Sequence, residues 1–357
     1  MSSSTTPPVL IIGAGPAGMA TAACLQRESI PFDLIDRRGQ CGGAYRQIHD
    51  GLTLLSPACY TQLPGLSIRC AGEYVTVPEY RDYLDEYARH FGLHAAPREV
   101  RAIERSGNGF HVQFIGLDAP SEYAVVVVAT GMFDSPFVPD QTLGLGETER
   151  RTLHSRDWPG AAPFVGRRVL VVGGGMSGVE IAEDCARANF EVTLSSRRRV
   201  RLVRQRFFGR DIHHWVHRVS HHLPLWSLGS FCDRLPAFPA FDRGFRELCA
   251  TGKIIVRPEL RQLDQHSAEF ADGSRSDFDV IVFATGYQFQ TPFLPSAIAR
   301  GSRGQPLAHN NRSRTWPNLF FIGFPCARIL PSEFLRGIAL DAPIVARRIR
   351  NVLSASR

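Results

Sequence analysis

The sequence predicts an α/β protein built of two doubly wound units, the second inserted into the first. Three observations predict it. A strand, a glycine-rich turn and a helix follow one another at the N-terminus, the same order recurs near the middle of the chain, and two apolar strands that flank the second copy end in the same tripeptide, Ala-Thr-Gly.

The first copy runs from Val9-Leu-Ile-Ile12 through Gly13-Ala-Gly15-Pro-Ala-Gly18 into an alanine-rich helix ending near Arg27. Gly13 permits the tight turn, Gly15 lets the backbone approach a pyrophosphate, and Gly18 lets helix and strand pack closely. Pro16 suits a first helical position, and Ala17 follows it among the N–H groups that the helix start offers to an anion. A second strand, Phe32-Asp-Leu-Ile-Asp36, ends in a carboxylate about 20 positions past the motif, where it can hold the hydroxyls of an adenosine ribose. Arg37 stands next to it.

The second copy has Arg168-Val-Leu-Val-Val172 as strand, Gly173-Gly-Gly175-Met176-Ser177-Gly178 as turn, and a helix from Val179 to Ala188. Its following strand, Glu191 to Ser195, ends in Ser195-Ser196-Arg197-Arg198 rather than in an acid. Arginine grips a phosphate bidentately, so this ending favours NADP over NAD. The alternative reading of these arginines is a solvated basic loop.

Val125-Val-Val-Val-Ala129-Thr130-Gly131 and Val280-Ile-Val-Phe-Ala284-Thr285-Gly286 read as buried strands after which the chain crosses between units. The expected division is therefore 1–160 with 287–357 for one dinucleotide unit and 161–286 for the other, with a helical excursion at about 200–246. Asn318 to Phe324, containing Gly323, reads as a further buried strand of the first unit. Phe334-Leu335 opens a last helix, whose dipole would favour negative charge on a bound cofactor.

Composition fits a globular protein of two domains: 357 residues, 44% apolar and 21% charged. No stretch of the N-terminus resembles a signal segment or a membrane span, so a cytoplasmic protein is expected. Charge is +7, carried almost wholly by arginine, with Lys253 the one lysine. The basic run from Arg197 follows directly on a nucleotide unit and lacks any nucleic-acid reader motif, which argues for a dinucleotide phosphate and against nucleic acid. The eight cysteines include no Cys-x-x-Cys pair, which suggests neither a zinc ribbon nor a dithiol centre. His213, His214, His217, His221 and His222 lie in an aromatic segment, 207–226, without carboxylate or cysteine partners at metal-ligand spacing, so no metal is expected. A substrate pocket or a membrane-surface patch there stays open, as does oligomeric state.

With these residues in hand, the chain resembles the flavin-containing monooxygenase superfamily, the single-component FAD- and NADPH-dependent enzymes, in their compact bacterial form. The resemblance rests on the paired fingerprints, on Gly42-Gly43-Ala44-Tyr45 where the family has Gly-Gly-x-Trp beside the flavin, on the two Ala-Thr-Gly crossings and on Leu319 to Phe324. It implies the two-dinucleotide-binding flavoprotein fold. FAD would lie against Gly13, Gly15, Pro16, Ala17, Gly18, Asp36, Arg37, Gly43, Ala44, Tyr45, Val100, Ala129, Thr130, Gly131, Gly323 and Leu335. NADPH would lie against Gly173, Gly175, Met176, Ser177, Gly178, Ser196, Arg197, Arg198, Ala284, Thr285 and Gly286. The resemblance also implies hydride transfer from NADPH to FAD, activation of O2 as a flavin C4a-hydroperoxide, and oxygen transfer to a heteroatom or carbonyl of a small molecule.

Two departures bear on that chemistry. The family signature before the second fingerprint is half present: His154 and Trp158 match it, whereas Thr148 and Arg150 replace its Phe and Gly. The flavin-proximal asparagine is absent, with Leu55-Ser56-Pro57 in its stretch. His154, Trp158 and Ser56 are the candidates for a catalytic or gating role. Competing readings are a flavin reductase or oxidase that releases peroxide, a disulfide reductase, for which Cys41 lacks a near partner, and a redox-sensing module that binds nucleotides without turnover.

Overall fold

A computed structural model describes residues 9–139, 151–164, 167–222, 238–264 and 267–355, leaving out the side chains of 151 and 219–222. Thr148, Arg150, Leu223 to Trp226 and the first eight residues lie outside the described residues. So do the side chains of His221 and His222.

Strand β1 (Val9–Ile12) pairs in parallel with β2 (Phe32–Asp36) on one side and with Val125–Val128 on the other. The sheet they centre has seven strands and is extended by Leu319–Phe321 beyond Val125–Val128. Both central strands are buried on both faces, which explains why they read as continuous apolar runs. The period of two then divides them. Val9, Ile11, Val125 and Val127 pack among helix α1 (Pro16–Arg27), helix α2 (Val77–His90) and the C-terminal helix Leu335–Ala355, while Leu10, Ile12, Val126 and Val128 pack on a three-stranded meander, 100–106, 109–114 and 121–123. Each such side chain contributes about 1.5–3 kcal/mol of burial.

The second sheet repeats the plan with five strands in the order Arg151–His154, Val280–Phe283, Arg168–Val172, Glu191–Ser195 and Ile254–Arg257. Helix α3 (Met176–Arg187) covers one face and a meander, 260–263, 267–270 and 275–277, lies on the other. Arg151–His154 pairs in parallel with Val280–Phe283, so this stretch is a strand of the second sheet although it precedes residue 160.

The expected helical excursion is mixed. A short strand 202–203 pairs with 240–241, a two-residue hairpin joins 206–207 to 210–211, and helix α4 (Ile212–His222) follows. Among the described residues no helix is long and apolar enough to cross a membrane.

Glu180 and Glu183 of α3 are set beside Arg243, with Arg187 one turn on from Glu183. Burial pushes the Glu180 carboxyl up to about 7, against the pull of Arg243 at 3.7 Å. A carboxyl raised in the folded state contributes stability that is complete below its unfolded value of 4.5 and is lost as pH rises through about 7. Glu180→Gln should remove roughly 3 kcal/mol from the fall in unfolding free energy between about pH 4.5 and pH 8, as read by denaturant titration. An unchanged slope would place the titrating group elsewhere.

Candidate active site

The first glycine turn is fixed by backbone rather than by side chains. Gly13 has φ +100°, and a Cβ there would lie 2.7 Å from the Ala129 carbonyl oxygen; one on Gly18 would lie 1.8 Å from that of Gly13. The third glycine is therefore a packing requirement, as the sequence reading holds. Gly15 differs, because its Cβ would meet only the Gly43 Cα, at 3.8 Å. It is the N-cap of α1, no side chain caps the helix, and Pro16 opens it, so the first-turn N–H groups are free of side-chain acceptors.

Asp36 closes this cradle. Its Oδ2 accepts from the Ala14 N–H at 3.0 Å and its Oδ1 from the Arg38 N–H at 2.9 Å. The segment 42–46 folds against the same turn: the Gly42 N–H donates to the Ala14 carbonyl, and Gly43, at φ +58°, comes so close to Gly15 that a Cβ would stand 2.8 Å from its Cα. Ala44 and Tyr45 continue in a short 3-10 helix, where the Tyr45 ring packs edge-on against Tyr80 with centroids 4.7 Å apart. Arg37 and Arg38 both clamp Asp134, at 3.1 and 2.6 Å. Although burial of Asp134 acts the other way, the two guanidinium groups hold its carboxyl below the usual range.

Thr130 follows the strand that pairs with β1, and its Oγ1 is buried without a hydrogen-bond partner. An orphaned hydroxyl beside a glycine cradle fits a polar ligand that completes it. Gly323, at φ +78°, closes on Ala17, to whose Cβ an added Cβ would lie 3.2 Å away. Leu335 is the first residue of the C-terminal helix. Val100 faces the core of the meander, three residues past Pro97, which pairs with Asp36.

The second cradle repeats this construction. A Cβ on Gly173 (φ +123°) would lie 2.2 Å from the Ala284 oxygen and one on Gly178 1.8 Å from that of Gly173, while one on Gly175 would meet nothing within 4 Å. Met176 and Ser177 open α3 beyond that space without a side-chain cap. Ser195 is buried and donates to the Pro258 carbonyl at 2.8 Å, so it serves the sheet. Ser196 donates to the Arg198 carbonyl at 2.7 Å, and Arg197 and Arg198 are exposed.

Arg257 pairs in register with Ser195, and its Nε is buried without a partner. It escaped the sequence reading because it belongs to a strand some sixty residues farther along the chain.

The two crossings run against each other. Pro136 bridges Tyr287, the Phe137 N–H donates to the Gly286 carbonyl at 2.9 Å, and the Gln288 N–H to that of Ser135 at 2.9 Å. The Thr285 hydroxyl donates to the Phe137 carbonyl, and Gly131 and Gly286 both have positive φ. His154 docks on this junction, its Nε2 donating to the Gly286 carbonyl at 3.1 Å while its Nδ1 accepts from the Arg156 N–H at 3.1 Å. Those two bonds require the neutral Nε2–H tautomer, and burial accordingly pushes the imidazole pKa down. Trp158 is buried and stacked on Phe164 with centroids 5.1 Å apart. His154 thus ends a strand of the second sheet and touches the crossing, and Trp158 packs into the core of the second unit.

Ser56, the third catalytic candidate, is in a different setting. It lies on strand β3 (Thr53–Pro57), paired with β4 (Tyr74–Thr76), and its Oγ is 3.1 Å from Nε2 of His213 on α4. His214 meets the Tyr60 hydroxyl at 2.9 Å and the His217 ring lies tilted against the same ring with centroids 4.9 Å apart, so these histidines dock the excursion on the first unit.

Two cradles for dinucleotides joined by a paired crossing define the class: a flavoprotein with a second, pyridine-nucleotide domain. The family model for pyridine nucleotide-disulphide oxidoreductases matches residues 10–220, and the chain belongs to that family. Residues 238–308 match the flavin-binding monooxygenase-like model, which bears out the resemblance read from the sequence. An uncharacterised CzcO-like oxidoreductase of Geobacillus kaustophilus is 28% identical over 96% of this chain and 98% of its own. A probable indole-3-pyruvate monooxygenase of Arabidopsis thaliana, YUCCA9, is 28% identical over 96% and 89%. A flavin-containing monooxygenase from Stenotrophomonas maltophilia shares the fold, with TM-score 0.79 at 22% identity over 99% of both chains. The protein is a flavin- and pyridine-nucleotide-dependent oxidoreductase, the expected FAD and NADPH accord with both models, and monooxygenation is favoured over flavin reduction alone.

Proposed function

We propose that the protein is a cytoplasmic NADPH-dependent flavin monooxygenase that transfers one oxygen of O2 to a heteroatom or carbonyl of a small molecule. The observation that carries this reading is the pair of open cradles at Gly15 and Gly175, each at an uncapped helix start and each closed by an Ala-Thr-Gly crossing. Residues 9–139 with 287–355 make up the FAD unit, and most of the stretch between makes up the NADPH unit, to which strand 151–154 adds itself through the second sheet.

Bound FAD supplies the redox chemistry and the site of oxygen activation. The chain's own residues position it: first-turn N–H groups of α1 meet the pyrophosphate, Asp36 the adenosine ribose, and the 43–45 segment with Thr130 encloses the middle of the cofactor. For NADPH the start of α3 takes the pyrophosphate, and Arg197 with Arg198 takes the 2′-phosphate. Exclusion of water from the junction is the remaining task, and Trp158 and His154 serve it by holding the connection closed.

Arg197→Ala should raise the NADPH Kd about tenfold and leave NADH unaffected, since one charge-assisted phosphate contact is worth about 1.4 kcal/mol. If only Arg257→Ala does this, the phosphate lies at Arg257. Function is tested by counting NADPH oxidised against peroxide released for a panel of amines, sulfides and ketones. Oxidation coupled to an oxygenated product supports monooxygenation, and stoichiometric peroxide with every compound supports the oxidase reading.

The cysteines give little to a disulfide reductase. Cys41 is buried against the Leu93 carbonyl and burial raises its thiol pKa, as it does for Cys24 and Cys185. Cys326, three residues past Gly323, is disulfide-bonded.

A further inference from the structure

We propose that Ser56, His213 and Asp211 form a nucleophilic triad and that Ser56 is an acyl-accepting serine, acting on esters of small carboxylic acids. The three residues come from two segments that only the fold brings together, β3 and the start of α4. Nothing in hydride or oxygen transfer requires them.

The geometry is that of a relay from carboxylate through imidazole to hydroxyl. Asp211 Oδ1 lies 2.7 Å from His213 Nδ1, and His213 Nε2 lies 3.1 Å from Ser56 Oγ. The Asp211 carboxylate is held by two further donors, the His213 backbone N–H at 2.7 Å and the Tyr74 hydroxyl at 2.6 Å. A carboxylate so fixed places the imidazole proton on Nδ1 and leaves the Nε2 lone pair facing the serine hydroxyl.

Burial grades along the relay in the order a nucleophile needs. Asp211 is fully buried, His213 is 8% exposed, and Ser56 is partly exposed at the outer end. Burial pushes the imidazole pKa down, so His213 stays neutral and able to accept a proton at pH 7. Asp211 stays ionised, since the bonds from Tyr74 and His213 outweigh its burial.

The charged and titratable groups around His213 come from each element packed there. His214 adjoins it on α4, Tyr60 follows β3, Tyr74 lies on β4, and Arg336 stands in the first turn of the C-terminal helix. Arg336 Nε is buried without a hydrogen-bond partner, and its charge acts on both His213 and Asp211.

In the reaction, Ser56 Oγ forms a bond to the ester carbonyl carbon as its proton passes to His213 Nε2. The alcohol leaves with that proton, and water then releases the acid and restores the serine. No oxidant or cofactor enters the balance.

The test uses the FAD-loaded protein, without NADPH, and an alkyl fluorophosphonate, which joins phosphorus to a reactive serine oxygen and releases fluoride. The expected result is one phosphonyl group on the peptide containing Ser56, with labelling slowed at least about 100-fold in His213→Gln and in Asp211→Asn. Tyr74→Phe, which removes one donor from Asp211 and leaves the relay in place, should slow it about tenfold or less. Retained flavin absorbance shows that each variant is folded. Absence of label on Ser56 in the native protein, or an equal rate in a folded His213→Gln, overturns the proposal. Because no NADPH is present, either failure leaves the monooxygenase reading untouched.

Discussion

Gly18→Ala is expected to yield a protein that neither binds FAD nor unfolds cooperatively. The added Cβ would lie 1.8 Å from the Gly13 carbonyl oxygen, an atom of backbone rather than the end of a flexible side chain. Gly13 is held in place, because its N–H donates to the Ile35 carbonyl at 2.8 Å and the Ala129 carbonyl leaves no room for even a Cβ on it. The clash must therefore be relieved by moving α1 off a sheet against which Met19, Ala20, Ala22, Ala23 and Leu25 are all fully buried. A loss of more than about 4 kcal/mol follows, a large part of the stability of a domain. Gly15→Ala is the informative contrast, since its Cβ meets only ordinary contact distance and projects toward the space assigned to the pyrophosphate. That variant should fold and lose FAD. Flavin content after gel filtration, with thermal unfolding, separates the two, and a folded, flavin-loaded Gly18→Ala would contradict the account.

Asp341→Ala should cost about 3–5 kcal/mol although it lies in no cofactor cradle, because removing one partner leaves a buried charge uncompensated. Asp341 is fully buried in the C-terminal helix, pairs with Arg328 Nε at 2.6 Å, and accepts from Asn311 Nδ2 at 3.0 Å. Asn311 in turn donates to the Phe321 carbonyl at 3.1 Å, so one carboxylate ties together the last strand, the turn before the last helix, and the helix itself. The denaturant midpoint should fall with little change in slope. A shift below about 1 kcal/mol would show that water replaces the carboxylate.

Strand-and-turn chemistry was legible in the sequence because it depends on neighbours along the chain. The runs at 9–12, 125–128, 168–172 and 280–283 are buried strands, and the glycines that the fingerprint demands meet backbone oxygens where packing requires it. What escaped depends on contacts between distant segments. Strand 151–154 joins the second sheet through residues 280–283, which no local pattern reveals. Ser56 and His213 are 157 positions apart, and their contact depends on how the segment 206–222 docks on β3. The absence of local periodicity at 200–222 reflects short strands that pair outside their own neighbourhood, as 202–203 does with 240–241.

The most direct test of the central claim is to reduce the purified FAD-loaded protein anaerobically with NADPH and then mix it with oxygen while recording the flavin spectrum. The expected result is full reduction by NADPH, followed by a transient species whose absorbance differs from both the reduced and the oxidised flavin. Immediate return to the oxidised spectrum with stoichiometric peroxide would contradict oxygen transfer, and no reduction at all would contradict the pairing of the two cradles.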